Sequence, residues 1–376
     1  MAIVVFPGGP VVRHTSGVRY EVDVRIGRDL RHAPWLLDGL AALEAAGEIR
    51  LRLHPRAPRW RDRVVVEDGA VRRVGRPYPW SVDLDVRDRE ADERRRVSVD
   101  LQDWREMWSH ASLQASDVIV KRMCARPEAD VVERTYGVRV VPAGITGHGR
   151  ADRWAGRWPL RVAGLAGRVE TVVNEPRRLR RSADVVAAAA ASEPLPPPVA
   201  PDEPYVFFQV AHHAWGEDLN RGRAAVIRAL RDRLGDRFVG GMTFAGAPVA
   251  GYEDCGSGFV PDHGAYLDLV RGAAVVVSTN GFGGSPPWKL AEYLEAGACI
   301  VSEPQDVELP APLEDGHHLC VATTPDEVAT AAARLLDDPP LRAHLSAGAA
   351  AYHAAVVAPE ALARRVLTGE EASCPA

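Results

Sequence analysis

The 376-residue chain predicts an α/β protein made of two units, each a parallel sheet with helices on both faces, set across a cleft. Three observations predict it. Apolar runs of strand length alternate with helix-length segments, the pattern of successive βα units. The proline-rich stretch Ser192–Pro204, SEPLPPPVAPDEP, divides that alternation, because proline this dense excludes helix and inner strand and behaves as a stiff spacer. The stretch Gly281–Gly297, GFGGSPPWKLAEYLEAG, sets a glycine turn and a helix directly after an apolar strand, where such sheets bind their ligands.

The expected division is residues 1–191, a linker at 192–204, a second unit at 205–358, and a last helical segment at 359–376 placed to pack back on the first unit. In the first unit Ile3–Phe6 and Glu21–Ile26 read as strands. Ala33–Ala46 reads as a helix closed by Gly47, and Ile49–His54 as the next strand. Val97–Asp100, Val118–Lys121 and Val138–Val141 are further strands, with a helix over Trp104–Ser116. Segments 56–63 and 85–96 are dense in Arg, Asp and Glu and read as solvated surface.

The second unit alternates more cleanly. Strands are expected at Tyr205–Val210, Arg237–Met242, Ala273–Ser278 and Cys299–Ser302, and helices at Asp218–Leu234, Gly264–Arg271 and 286–296. Helices at 325–337, 339–355 and 359–367 complete it. Ser285 is expected to cap the helix after the glycine turn, with Pro286 at its first position. Lys289 and Glu292, three residues apart, then share a helix face.

Composition narrows the function. Hydrophobic content of 46% and charged content of 26% are those of a globular protein. A net charge of −5 argues against nucleic acid or an anionic membrane surface as partner. No apolar run approaches the roughly 20 residues of a membrane helix. The opening MAIVVFPGGP reads as a core strand, not a signal peptide. Cys124, Cys255, Cys299, Cys320 and Cys374 show neither disulfide-framework nor zinc spacing, which fits a reducing cytoplasm. Of 46 basic residues only Lys121 and Lys289 are lysines. That bias, with abundant alanine, indicates a GC-rich coding sequence of the kind found in bacterial specialised metabolism. A retained lysine serves well as a compact point charge on phosphate.

At GFG (281–283), KLAEYLEAG (289–297), CIVSEP (299–304) and the tail EDGHHLCVATTPDEVATAAARLLDDPPLR, the chain resembles the C-terminal half of the nucleotide-sugar glycosyltransferases with two Rossmann-like domains, the GT-B fold. It is most similar to the large retaining family of bacterial polysaccharide and antibiotic glycosyltransferases, over about residues 205–368. The resemblance implies a donor site at the second unit and an acceptor site in the first. It gives Glu292 the ribose hydroxyls, and the diphosphate to backbone donors of Gly283, Gly284 and Ser285, with Arg221, Arg223 and Lys289. Val260 and Pro261 match a short strand end that lines the base. The sequence departs from the family at Asn280, which stands where a glutamate is usual. An amide can bind sugar hydroxyls but carries no charge to the reacting centre.

The implied activity is transfer of a sugar from a nucleotide diphosphate to a hydroxyl of a small molecule or glycan precursor. The course is retaining and metal-independent, with the nucleotide-sugar as co-substrate and no other cofactor. If the reaction inverts instead, a general base must come from the first unit, where Asp100, Asp103, His110 and His14 are candidates. Gly8 and Gly9, in the turn PGGP, stand with His14, His212 and His213 at carboxyl ends of strands, and form the expected acceptor set. Asp83 and Asp85, with Val82, Leu84 and Val86 alternating, read as a strand face, and no metal site is expected. His317 and His318 read as loop residues. A nucleotide-sugar epimerase or hydrolase, and a non-catalytic sugar-nucleotide-binding partner, are the alternatives. Oligomeric state is open.

Overall fold

The computed structural model describes residues 18–27, 33–149 and 203–370, with Trp154, Arg157, Arg161 and Val162 between them. Ile3–Phe6, Gly8, Gly9, His14 and nearly all of the spacer lie outside the described residues.

The first domain contains β1 (Tyr20–Ile26), α1 (Pro34–Ala45), β2 (Ile49–Pro55), β3 (Arg63–Glu67), β4 (Ala70–Arg73), β5 (Ser81–Asp88) and β6 (Glu93–Asp100). They are followed by β7 (Met107–Ser109), α2 (His110–Ala115), β8 (Val118–Lys121), α3 (Arg126–Tyr136) and β9 (Arg139–Pro142). Its main sheet runs β2-β1-β5-β6-β8-β9, and β4-β3-β7 form a separate antiparallel sheet. The main sheet is mixed rather than parallel, because β5 runs antiparallel to both β1 and β6.

The charge-dense segment 85–96, expected as plain surface, is the tip of that β5–β6 hairpin. Val82, Leu84, Val86, Val97 and Val99 are buried on one face, Arg87, Arg94 and Arg96 are exposed, and Asp92 turns the chain at φ 51°. Segment 56–63 departs further. Arg56 and Asp62 are buried, and Arg56 pairs with Asp83 at 3.1 Å. Of the helix expected over Trp104–Ser116, only His110–Ala115 forms. Residues Met107–Ser109 pair with β3 instead, which buries Trp108 completely.

The second domain holds β10 (Val206–Ala211), α4 (Glu217–Leu234), β11 (Phe238–Thr243), α5 (His263–Gly272), β12 (Val275–Ser278), α6 (Trp288–Glu295), β13 (Ile300–Ser302), β14 (Cys320–Val321), α7 (Pro325–Leu336), α8 (Pro339–Tyr352) and α9 (Pro359–Thr368). Its five strands run β11-β10-β12-β13-β14, all parallel. Val206, Phe208 and Val210 face a core shared with α4 and α7, while Phe207 faces the opposite core with α5 and α6. Burial on both faces explains why β10 and β12 are apolar on both sides apart from Gln209 and Ser278.

The two α/β domains therefore face one another as expected. Their contact is built from named groups. Trp35 donates its indole N–H to the carbonyl of Val357, Arg365 donates to the carbonyl of Ala143, and Arg122 donates to that of Pro286. Helix α9 lies against α1, and the helices meet where Gly39 has no side chain. A Cβ there would stand 1.9 Å from the carbonyl oxygen of Pro359. A Gly-to-Ala change inside a helix ordinarily gains up to about 1 kcal/mol. Here Gly39→Ala is expected to cost about 1–3 kcal/mol through overpacking, read by urea unfolding; unchanged stability would contradict this helix contact.

Candidate functional site

Helix α4 carries its buried residues at Asn220, Arg223, Ala224, Ile227, Leu230 and Leu234, a stripe of helical period. Arg223 sits in that stripe near the helix start, so packing of the stripe carries its guanidinium to the carboxyl end of β10. There Nη1 donates to the carbonyl of Ala211 at 3.0 Å. Its Nε is buried and has no hydrogen-bond partner among the described residues. Burial lowers Arg223 to about 10, and the negative charge of Glu303 only partly offsets this.

Helix α6 brings a second cation to the same place. Lys289 donates to the carbonyl of Gln209 in β10, and its ammonium lies 5.1 Å from the centre of the Tyr266 ring. Burial, then the charge of Arg223, push it down to about 8 against the pull of Glu292. Between the two cations, at the end of β12, the hydroxyls of Ser278 and Thr279 are buried and have no partner among the described residues. These four side chains line one cavity of about 410 Å³, whose opposite wall includes Asp103 and His148 of the first domain.

Two cations and two hydroxyls with unused hydrogen-bonding capacity suit a multiply charged oxyanion. A buried polar group left without a partner costs about 1–3 kcal/mol, so their convergence in one cavity marks a place for a ligand.

The glycine turn shapes the cavity mouth. Gly283 and Gly284 have φ of 61° and 76°, the left-handed region that glycine reaches without strain. The turn is closed internally, the N–H of Gly284 donating to Gly281 and that of Ser285 to Phe282. Those two groups are thus already used, contrary to the expectation that they await a diphosphate. Ser285 does not cap α6, which starts at Trp288 with Pro287 before it. Two prolines in succession hold the chain extended and delay the helix. Gly283 faces the first domain, its carbonyl accepting from Arg105 at 3.4 Å.

Other expected residues fall elsewhere. Arg221, two positions from Arg223, is on the solvent side of α4 and pairs with Asp218 at 3.0 Å. Asp100 is sealed in the first domain, accepting from the Tyr78 hydroxyl at 2.9 Å and pairing with Lys121 at 3.2 Å. That network is structural, with Lys121 also over Trp108. His110 begins α2 and contacts the Tyr136 hydroxyl at 3.0 Å, beside the small antiparallel sheet. Asn280 has both ends of its amide engaged, donating to the carbonyl of Pro304 and accepting from Gln305. It ties two loops together and does not line the cavity.

Val260 and Pro261 belong to no strand, and Val260 is 44% exposed. His212 stacks against Phe244 and Tyr252 away from the cavity, whereas His213 lines it. His318 is buried and accepts from the backbone of Glu314.

Glu292 is only 8% exposed. It lies beside the cavity rather than in its wall, with His148 Nδ1 at 3.4 Å and His263 Nε2 at 3.8 Å. His148 itself lines the cavity and stacks on Trp288, so Glu292 is one side chain removed. Ser278, Thr279 and His148 were not singled out from sequence. For the first two the signal was present as hydroxyls directly after Val275–Val277.

Residues 222–368 match the family described as glycosyl transferase-like. Over those residues the C-terminal domain is similar to that family. A search of curated proteins found no match. Among solved structures, the chain is similar to the C-terminal domain of a glycosyl transferase group 1 family protein, LpcC, from Francisella tularensis, at 15% identity and TM-score 0.29, over 39% of this chain and 84% of that one. It is also similar to Anabaena HepE, solved in complex with UDP-glucose, at 11% identity and TM-score 0.41, over 69% and 65%. A putative UDP-N-acetylglucosamine 2-epimerase from Listeria monocytogenes gives 11% identity and TM-score 0.37, over 92% and 94%. The chain spans just under two thirds of the Anabaena protein's length.

His213 gives the cavity a pH signature. Burial, then the charge of Arg223, then His212, push it down to about 4. Below pH 6.5 the unfolded chain takes up a proton that the folded cavity refuses. Stability is therefore lost as pH falls from about 6.5 towards 4. His213→Gln is expected to flatten this part of the stability–pH curve in urea titrations; parallel curves for variant and parent would contradict the burial of a neutral imidazole.

Proposed function

We propose that the protein is a glycosyltransferase that binds a nucleotide-sugar at the carboxyl edge of the second domain's sheet and transfers the sugar to an acceptor hydroxyl. The observation that carries this reading is the cavity where Arg223, Lys289, Ser278 and Thr279 converge with unused hydrogen-bonding groups. Glycosyl transfer breaks a sugar–phosphate bond and leaves negative charge on the departing diphosphate. Fixed positive charge in a desolvated cleft stabilises that charge as it develops.

In this reading Arg223 and Lys289 hold the diphosphate, with Ser278 and Thr279 donating to its oxygens. A Lys289 ammonium near pKa 8 is protonated more fully when an anion arrives, so binding and proton uptake are coupled. Glu292, between His148 and His263, accepts hydrogen bonds from the ribose at the cavity's edge. The first domain closes the site through Asp103 and His148. The phosphate charge is met by side chains, so the proposed reaction is metal-independent, and its proposed stereochemical course is retention.

The test is thermal unfolding of the full chain with UDP, GDP, ADP and dTDP. At 100 times Kd a ligand of the native state contributes about 2.7 kcal/mol, so the correct nucleotide stands out as a raised Tm. Arg223→Ala, Lys289→Ala and Glu292→Ala are each expected to weaken that nucleotide at least about tenfold, as loss of charge-assisted hydrogen bonds requires. Arg221→Ala is expected to leave it unchanged. An undiminished shift in both cation variants would refute the site.

A further inference from the structure

A second cavity, of about 750 Å³, lies beyond Asn280 from the first. Thr279 and Gly281, on either side of Asn280, line the first cavity, while the amide of Asn280 holds Pro304 and Gln305 on the wall of the second. The second cavity is formed where residues 303–313, after β13, cross to the first domain. Glu308 accepts from Arg126 at 3.1 Å, its backbone N–H donates to the carbonyl of Cys124, and Pro310 fills the space over Gly144.

Apolar side chains, Val307, Leu309, Leu319 and Val321 among them, make up just over half of the lining of this cavity, and polar groups the rest. Its acids are Glu303 and Glu308, and its cation, Arg126, is taken by Glu308. Glu303 makes no ion pair among the described residues. One of its oxygens accepts from the backbone N–H of Asn280 at 2.7 Å, which fixes the carboxylate at the end of β13 on the boundary between the cavities. Burial raises its pKa above the ordinary carboxylate range, against the pull of Asn280 and Arg223. A hydroxyl donor arriving at this carboxylate restores solvation that burial removed.

We infer that the second cavity is the acceptor site, that it takes an uncharged or amine-bearing, mainly apolar alcohol, and that Glu303 accepts a hydrogen bond from the acceptor's hydroxyl. This rests on the nucleotide-sugar reading of the neighbouring cavity, since the sugar must lie at the shared boundary for the hydroxyl to reach it. The apolar wall sets the class of acceptor. The unneutralised carboxylate works against anionic acceptors, whose charge it repels at low effective dielectric. Of the acceptor set expected from sequence, the described His212 and His213 do not line this cavity.

The test titrates the full chain in mildly acidic buffer, where the coumarin hydroxyl stays protonated, with 4-methylumbelliferone, then an uncharged fluorescent phenol, and with 7-hydroxycoumarin-3-carboxylate, an anionic counterpart, reading fluorescence anisotropy. Expected are saturable binding of the first and at least about tenfold weaker binding of the second. Leu309→Trp, which fills the cavity, and Glu303→Gln, which keeps its shape, are both expected to weaken the phenol, the latter by about fivefold or more, as loss of a charged hydrogen-bond acceptor implies. Leu309→Trp is not expected to alter the nucleotide-induced rise in Tm. No saturable binding to the parent protein, or equal binding by parent and both variants, overturns the inference. Loss of the nucleotide shift in Arg223→Ala and Lys289→Ala with phenol binding unchanged separates the two cavities. An absent nucleotide shift in the parent sinks the donor reading, and with it the acceptor role.

Discussion

A guanidinium held against the end of a β-sheet, with its Nε unpartnered and no ion pair among the described residues, is expensive to keep. The second domain keeps one, Arg223, and sets Lys289 beside it. Burial first, and then the charge of Arg223, lower the pKa of both Lys289 and the neighbouring His213. Much of the local architecture follows from holding this charge in place. The buried stripe of α4 aims Arg223 at Ala211, and the delayed start of α6 after Pro286 and Pro287 aims Lys289 at Gln209. Such an arrangement makes physical sense when an anion completes it.

The first domain does not supply a matching charged site in the described residues. It supplies a lid of contacts. Arg122 bridges Asp103 and the carbonyl of Pro286, so Asp103 on the far wall is tied directly to the chain entering α6. Helix α9 crosses back to α1 and couples the domains at their other end. Movement of one domain against the other must therefore pass through the Arg122 bridge and the strap at 303–313, and both border the cavities.

The second domain was legible in the sequence because its strands are buried on both faces and its helices are regularly amphipathic. The alternation from Tyr205 to Ser302 needs little tertiary information to be read. The first domain was less so. In its β5–β6 hairpin the alternation of Val82, Leu84 and Val86 was visible, but the run of Arg, Asp and Glu that follows hid the turn at Asp92 and the first half of β6. Trp108 was drawn into a sheet by pairing with β3, a contact that no local pattern announces.

At the site, the resemblance pointed to Arg221 and Arg223 alike and scarcity marked Lys289; only the buried stripe of α4 separates Arg223 from its exposed neighbour Arg221. The roles expected of Asp100 and His110 were not recoverable from residue type. Only the fold reveals that Tyr78, Lys121 and Tyr136 already engage them. The internal closure of the glycine turn was likewise invisible, since glycines that cradle an anion and glycines that merely turn the chain are written alike.

The most direct measurement is a crystal structure of the full chain with the nucleoside diphosphate that stabilises it. The account predicts phosphate oxygens within hydrogen-bonding distance of Arg223 Nε and Lys289 Nζ, with the Ser278 or Thr279 hydroxyl turned towards them. A diphosphate bound elsewhere, with Arg223 Nε as unpartnered as before, would contradict it.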